Sequence, residues 1–84
     1  MGFNVLIIDD NPDDRFIIKR SIDKADKTCS VTEAKTATEG LNILNGDKQF
    51  DCLFLDYRLP DMDGLDVLEK YMTAKKIWAR AQLL

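Results

Sequence analysis

Three carboxylates stand where two apolar runs end. Asp9 and Asp10 follow Val5-Leu6-Ile7-Ile8 directly, and Asp56 follows Cys52-Leu53-Phe54-Leu55. If the two runs are neighbouring strands pointing the same way, the three acids meet at one rim. Close carboxylates repel, which raises their pKa values unless a cation neutralises them. A hard divalent ion with oxygen ligands suits such a cluster, Mg²⁺ most naturally. A carboxylate beside bound Mg²⁺ can also accept a phosphoryl group, because the metal offsets charge on the transferring oxygens. The plainer alternative for Asp9 and Asp10 is a solvated pair at a strand end, without a ligand.

The elements that must position these acids can be read around them. Continuous apolar runs of four suit strands buried on both faces, as in parallel sheets, where chemistry sits beyond the carboxyl ends of the strands. After Asp10, Asn11 can cap a helix, Pro12 fits its first position, and Asp13 and Asp14 complement its dipole on a solvated face. Ile18, Ile22 and Ala25 fall at helical spacing with Ile17 beside them, so Arg15, Lys19 and Asp23 are expected to face outward. That helix should end near Ala25.

Residues 28–34 read as a polar edge strand, with Cys29 and Val31 on one face and Ser30 and Thr32 on the other. Thr36-Ala37-Thr38-Glu39 has the form of a capping box, followed by the stripe Ala37, Leu41 and Leu44 and a stop at Asn45-Gly46. After the third strand, Leu59-Pro60-Asp61 signals a turn and Gly64 opens another helix. Alternating strands and helices predict an α/β fold on a parallel sheet.

Taken together, Val5 to Asp10, Leu55-Asp56 and Leu59-Pro60-Asp61-Met62-Asp63-Gly64 resemble the receiver domain of two-component response regulators. The resemblance runs from about Asn4 to Tyr71 and implies a partial flavodoxin-like receiver fold, with three parallel strands in the order 2-1-3 and flanking helices. It implies Asp56 as phosphoacceptor, with Mg²⁺ bound directly by Asp10, Asp56 and the backbone carbonyl of Arg58, and by Asp9 through water. It further implies a sensor histidine kinase or phosphotransfer protein as donor. The chain itself would assist its own phosphorylation at most and would not be an enzyme. In the family, the side chain at the position of Arg58 lies over the phosphorylation site and tunes how fast phosphate arrives and leaves.

The resemblance fades along the third helix, which carries Leu65, Val67, Leu68 and Tyr71 and an Asp66–Lys70 pair. Residues 73–84 contain neither Pro nor Gly and are rich in helix formers, so the helix is expected to continue as a divergent C-terminal extension. Residues 1–84 then form a single truncated receiver domain. Two strands and two helices of the family's five-unit fold would then be absent from it, along with the hydroxyl-bearing Ser or Thr and the Lys that bind the phosphoryl group in the family. Its strand Cys52 to Leu55 would be left as an unpaired apolar edge, which predicts a homodimer or larger, or a final helix folded back over the edge. Two other functions compete: a dimerisation or docking module whose acidic site is inert, and a small Mg²⁺-dependent phosphohydrolase. The phosphohydrolase has no candidate general acid or Lys near the acceptor.

Composition narrows the classes further. Eighty-four residues make one small domain, and 45% hydrophobic with 32% charged residues describes a folded chain rather than a disordered one. A net charge of −3 without a basic cluster argues against direct nucleic-acid binding. Cys29 and Cys52 are spaced as two buried reduced thiols, not as a metal or redox motif. Met1-Gly2 lacks the Ser or Thr at position six that myristoylation requires. No apolar run is long enough for a secretory or membrane-spanning segment, so the cytoplasm is the expected compartment and no membrane partner is expected.

Overall fold

The computed structural model describes residues 3–75 and 80–83. β1 (Asn4–Ile8) is flanked by β2 (Ser30–Ala34) and β3 (Cys52–Leu55), both parallel to it. Ile8 is level with Ala34 on one side and Leu55 on the other, so the three strands end together. The ladders run one residue further: Asp9 N–H donates to the Ala34 carbonyl at 3.0 Å and Asp56 N–H to the Ile8 carbonyl at 2.9 Å. Those two bonds fix the backbone of both acids at one rim. The expected order 2-1-3 is present, with β2 at an edge.

Side chains alternate across the sheet. Leu6, Ile8, Leu53 and Leu55 join Ala34, Ala37, Leu44, Phe50 and Val67 in the main core, under α2 (Ala37–Leu44) and α3 (Gly64–Lys75). Six fully buried aliphatics (Leu6, Ile7, Ile8, Leu53, Leu55 and Val67) each contribute about 1.5–3 kcal/mol of burial free energy. α2 lies so close to β1 that a Cβ built on Gly40 would stand 2.3 Å from Ile8 Cδ1. Val5, Cys52 and Phe54 belong to the opposite face, where they line a groove of about 670 Å³ with Ile22 and Ala25 of α1 (Pro12–Ala25). Cys29 and Cys52 both line this groove and are half-buried rather than buried.

α1 starts and stops as expected. The Asn11 side chain accepts from Asp13 N–H at 2.9 Å, and Asp26 N–H closes the last turn on the Ile22 carbonyl. Its faces differ from expectation: Ile17 is 61% exposed, Ile18 and Ile22 are half-buried, and Arg15 is buried with 8% exposure. Arg15 precedes Ile18 and Ile22 by three and seven residues, which places it on the apolar stripe itself. Its charge is met there by hydrogen bonds.

The helix expected over 73–84 is replaced at its end by a strand. α3 reaches Lys75, and β4 (Arg80–Leu83) then pairs in parallel with β3, level with Cys52 to Leu55, giving the order 2-1-3-4. Helix propensity differs by only tenths of a kcal/mol per residue among ordinary side chains. An unpaired apolar strand edge offers a segment a stronger alternative. β3 is therefore interior, and the exposed edge that favoured a dimer does not exist. Residues 76–79 and 84 of that expected extension lie outside the described residues.

Candidate functional site

The level strand ends bring the three acids together. One carboxylate oxygen from each of Asp9, Asp10 and Asp56 lies within 4.8 Å of the other two. Asp9 is 2% exposed, Asp56 half-buried and Asp10 exposed. A cleft of about 320 Å³ opens over them, lined by Asp9, Asp14, Ile17, Ile18 and Asp56.

Two of the carboxylates are oriented by their own loops. Asp9 Oδ1 accepts the Asn11 N–H at 2.9 Å, and Asp56 Oδ1 accepts the Arg58 N–H at 3.2 Å. Among the described residues, the second oxygen of each has no hydrogen-bond donor. Burial pushes the Asp9 carboxyl above its ordinary value. The Asn11 N–H opposes that shift, while repulsion from Asp56, Asp14 and Asp10 adds to it. Hard oxygen donors whose negative charge is uncompensated, at a partly open cleft, fit a cation such as Mg²⁺, which retains several waters and takes few carboxylates.

The loop between β3 and α3 is held at three places. Gly64 N–H donates to the Tyr57 carbonyl at 2.7 Å, and Arg58 and Asp63 form an antiparallel bridge. Asp61 reaches across to α2: Oδ1 accepts Ala37 N–H at 2.9 Å, and Oδ2 accepts Thr38 N–H at 2.9 Å and Thr38 Oγ1 at 2.6 Å. Thr36 Oγ1 accepts Glu39 N–H, and Glu39 Oε1 reaches back to Lys35 N–H. The free amides at the α2 N-terminus, the Ala37 N–H among them, are thereby given acceptors.

Three residues act here beyond the roles their sequence positions suggested. Asp14, read as a dipole complement on a solvated face, lines the acidic cleft. Asp61, read as a turn residue, is the acceptor for α2. Arg15, read as solvent-facing, donates through Nη1 to the Asp9 carbonyl and through Nε to Glu33. A signal existed for Asp61: the capping box leaves Ala37 and Thr38 N–H without a local acceptor, and an acid is favoured at a helix N-terminus.

Known proteins share this fold. Residues 5–79 match the family described as response regulator receiver domain. Among curated proteins, the chain is 38% identical over 66 residues to the DNA-binding transcriptional regulator NtrC of Proteus hauseri, covering 79% of this chain and 13% of that protein. It is 43% identical over 63 residues to the sensor histidine kinase CheAY of Helicobacter pylori, covering 71% and 7% respectively. Among solved structures, a CheY-like receiver domain protein from Methanospirillum hungatei superposes with a TM-score of 0.86 at 26% identity, covering 99% of this chain and 63% of that one. A chain in the complex of histidine kinase ThkA with response regulator TrrA superposes with a TM-score of 0.84 at 25% identity, covering 99% and 67%. The chain thus spans a small fraction of these curated relatives and about two-thirds of these solved chains.

Proposed function

Because this chain belongs to the response regulator receiver domain family, we propose that it accepts a phosphoryl group on Asp56 from a histidine kinase or phosphotransfer protein. Asp10, Asp56 and the Arg58 carbonyl would hold Mg²⁺ directly, with Asp9 acting through water. The observation that carries this reading is the meeting of three carboxylates at the carboxyl rim of the sheet. A histidine kinase partner is supported by the ThkA–TrrA complex, one of whose chains this fold matches.

When bound, the metal supplies charge neutralisation on the transferring oxygens. The chain's own residues do the rest. Asp56 N–H anchors the acceptor to β1, and the Arg58 N–H holds Oδ1, which leaves Oδ2 as the nucleophile. Oδ2 bonds to phosphorus as the bond from phosphorus to the donor breaks, and its electron pair leaves with the donor. Asp9 is kept at the rim by Ala34 and Asn11, and its second oxygen would be available to a metal-bound water. Incubation with a small phosphodonor and Mg²⁺ tests the reading: the mass of one phosphoryl group should be gained, and not in Asp56→Asn.

A second reading is a docking or dimerisation module, favoured by exposed Phe16 and Ile17 on α1 and by the apolar groove beside that helix. It needs no phosphate. Sedimentation at micromolar concentration checks it, since a stable 9.6 kDa monomer that still takes up phosphate leaves only the first reading.

A further inference from the structure

The geometry points to Arg15 as a positioning residue for the acidic site: its guanidinium fixes the peptide joining Asp9 to Asp10, and so sets where those carboxylates stand relative to Asp56. This rests on the reading that Asp10 and Asp56 hold Mg²⁺. The Asp9–Asp10 peptide is the first beyond the sheet. The peptide before it still pairs with β2 through the Asp9 N–H, whereas the Asp9 carbonyl, one step further along, takes its hydrogen bond from the Arg15 side chain and not from a strand. A buried carbonyl requires a donor. Arg15 Nη1 supplies it at 2.6 Å, a short charge-assisted bond.

Arg15 is itself held from two other directions. Its backbone N–H donates to the Asn11 carbonyl in the first turn of α1, and its side chain leans toward the N-terminus of that helix, as helical side chains do. Nε donates to Glu33 Oε1 at 3.1 Å, and Glu33 is fixed on β2 opposite Ile7. Lys19 Nζ approaches the other Glu33 oxygen at 3.6 Å. One buried guanidinium therefore ties α1, β2 and the acidic turn into a single frame. Rotation of the Asp9–Asp10 peptide would swing the Cα–Cβ bond of Asp10 away from Asp56. The hydrogen bonds of Arg15 go to a carbonyl and to Glu33, not to a carboxylate of the cluster, so the role is geometric. Lys has a point charge and no fork with which to reach both acceptors.

The test uses Arg15→Lys, which keeps the charge, and Arg15→Gln, which removes it. Two measurements are made: Mg²⁺ affinity by titration of folded protein, and amide exchange without metal. Residues that orient metal ligands typically account for about 10- to 100-fold in affinity. Both variants should therefore bind Mg²⁺ about tenfold more weakly. The Asn11 amide, held by Asp9 Oδ1, should exchange faster while the Leu6 amide in β1 is unchanged. Arg15→Lys binding Mg²⁺ as tightly as the parent chain would overturn the inference. So would a uniform acceleration of all sheet amides in both variants, which would make Arg15 merely structural. A parent chain that binds no Mg²⁺ removes the metal reading and this inference with it, whereas equal binding by parent and variants removes the inference alone.

Discussion

Asp61 and Thr38 are joined twice, through the Thr38 N–H at 2.9 Å and its hydroxyl at 2.6 Å, both accepted by Asp61 Oδ2. These bonds link the loop after β3 to the first turn of α2, so the Asp56 side of the rim is braced by another helix. The Thr38 hydroxyl, then the Thr38 and Ala37 amides, hold the Asp61 carboxyl down at about 2, from an ordinary 3.8. A depressed carboxylate stabilises the fold above its unfolded pKa and loses that contribution as pH falls toward its folded one. Asp61→Ala should therefore lower the urea midpoint at pH 7, with the difference from the parent shrinking as pH falls from about 4 to about 2. A constant difference over that range would remove the carboxylate from the explanation.

Asp9 has the opposite sign. Its carboxyl is raised by burial and by its acidic neighbours, so the folded chain binds a proton more readily than the unfolded one. Between the unfolded and the raised folded pKa, stability from this group falls as pH increases, and the deficit persists at neutral pH. Asp9→Asn keeps an oxygen for the Asn11 N–H while deleting the charge. The variant should unfold at higher urea than the parent at pH 7 and yet bind Mg²⁺ more weakly, a trade of stability against a site. Urea titrations at pH 7, paired with metal titration, read both.

The acidic rim was legible because each acid follows an apolar run, and runs that pair level must end together, as Ile8, Ala34 and Leu55 do. The caps at Asn11 and Thr36 were legible because capping is local chemistry. Arg15 was misread because charge outweighed spacing: three and seven residues from Ile18 and Ile22, it shares their face. β4 was missed because helix propensity is a local quantity, whereas the gain from pairing lies at the edge of β3, more than twenty residues away in sequence. Asp61 was half-read for the same reason, since Thr38 is 23 residues away.

Metal binding should appear as stability. A ligand that binds only the folded chain raises its stability by mass action, by about 2.7 kcal/mol at one hundred times the dissociation constant. The thermal midpoint of the parent chain should thus climb with Mg²⁺ concentration. In Asp10→Asn and Asp56→Asn the slope should flatten, since each removes one member of the cluster. Parallel slopes in all three proteins would place the ion elsewhere.

Gly40 gives a test of the packing that carries the rim. A Cβ there would stand 2.3 Å from Ile8 Cδ1 and 2.8 Å from Cγ1, so α2 must lift or Ile8 must leave its rotamer. Overpacking of this kind costs about 1–3 kcal/mol, more than the helix propensity that Ala gains over Gly. Gly40→Ala should be destabilised in urea by that amount. Because Ile8 is the last residue of β1 before the acids, Mg²⁺ affinity should fall in the same variant. Unchanged stability would mean that Ile8 relaxes freely.

The last prediction concerns the edge that β4 covers. β3 reads Cys-Leu-Phe-Leu, the composition of a sheet interior, and β4 pairs with it over all four residues. Each ladder bond contributes about 1 kcal/mol net, largely offset by the backbone entropy lost on ordering the strand. The larger effect of β4 is to keep another chain off an apolar edge with unpaired amides. Deleting residues 80–84 should therefore shift the urea midpoint only modestly while driving self-association at micromolar concentration. Sedimentation decides between the two consequences: a shortened chain that stays monomeric and equally stable would show that β3 does not need the strand beside it.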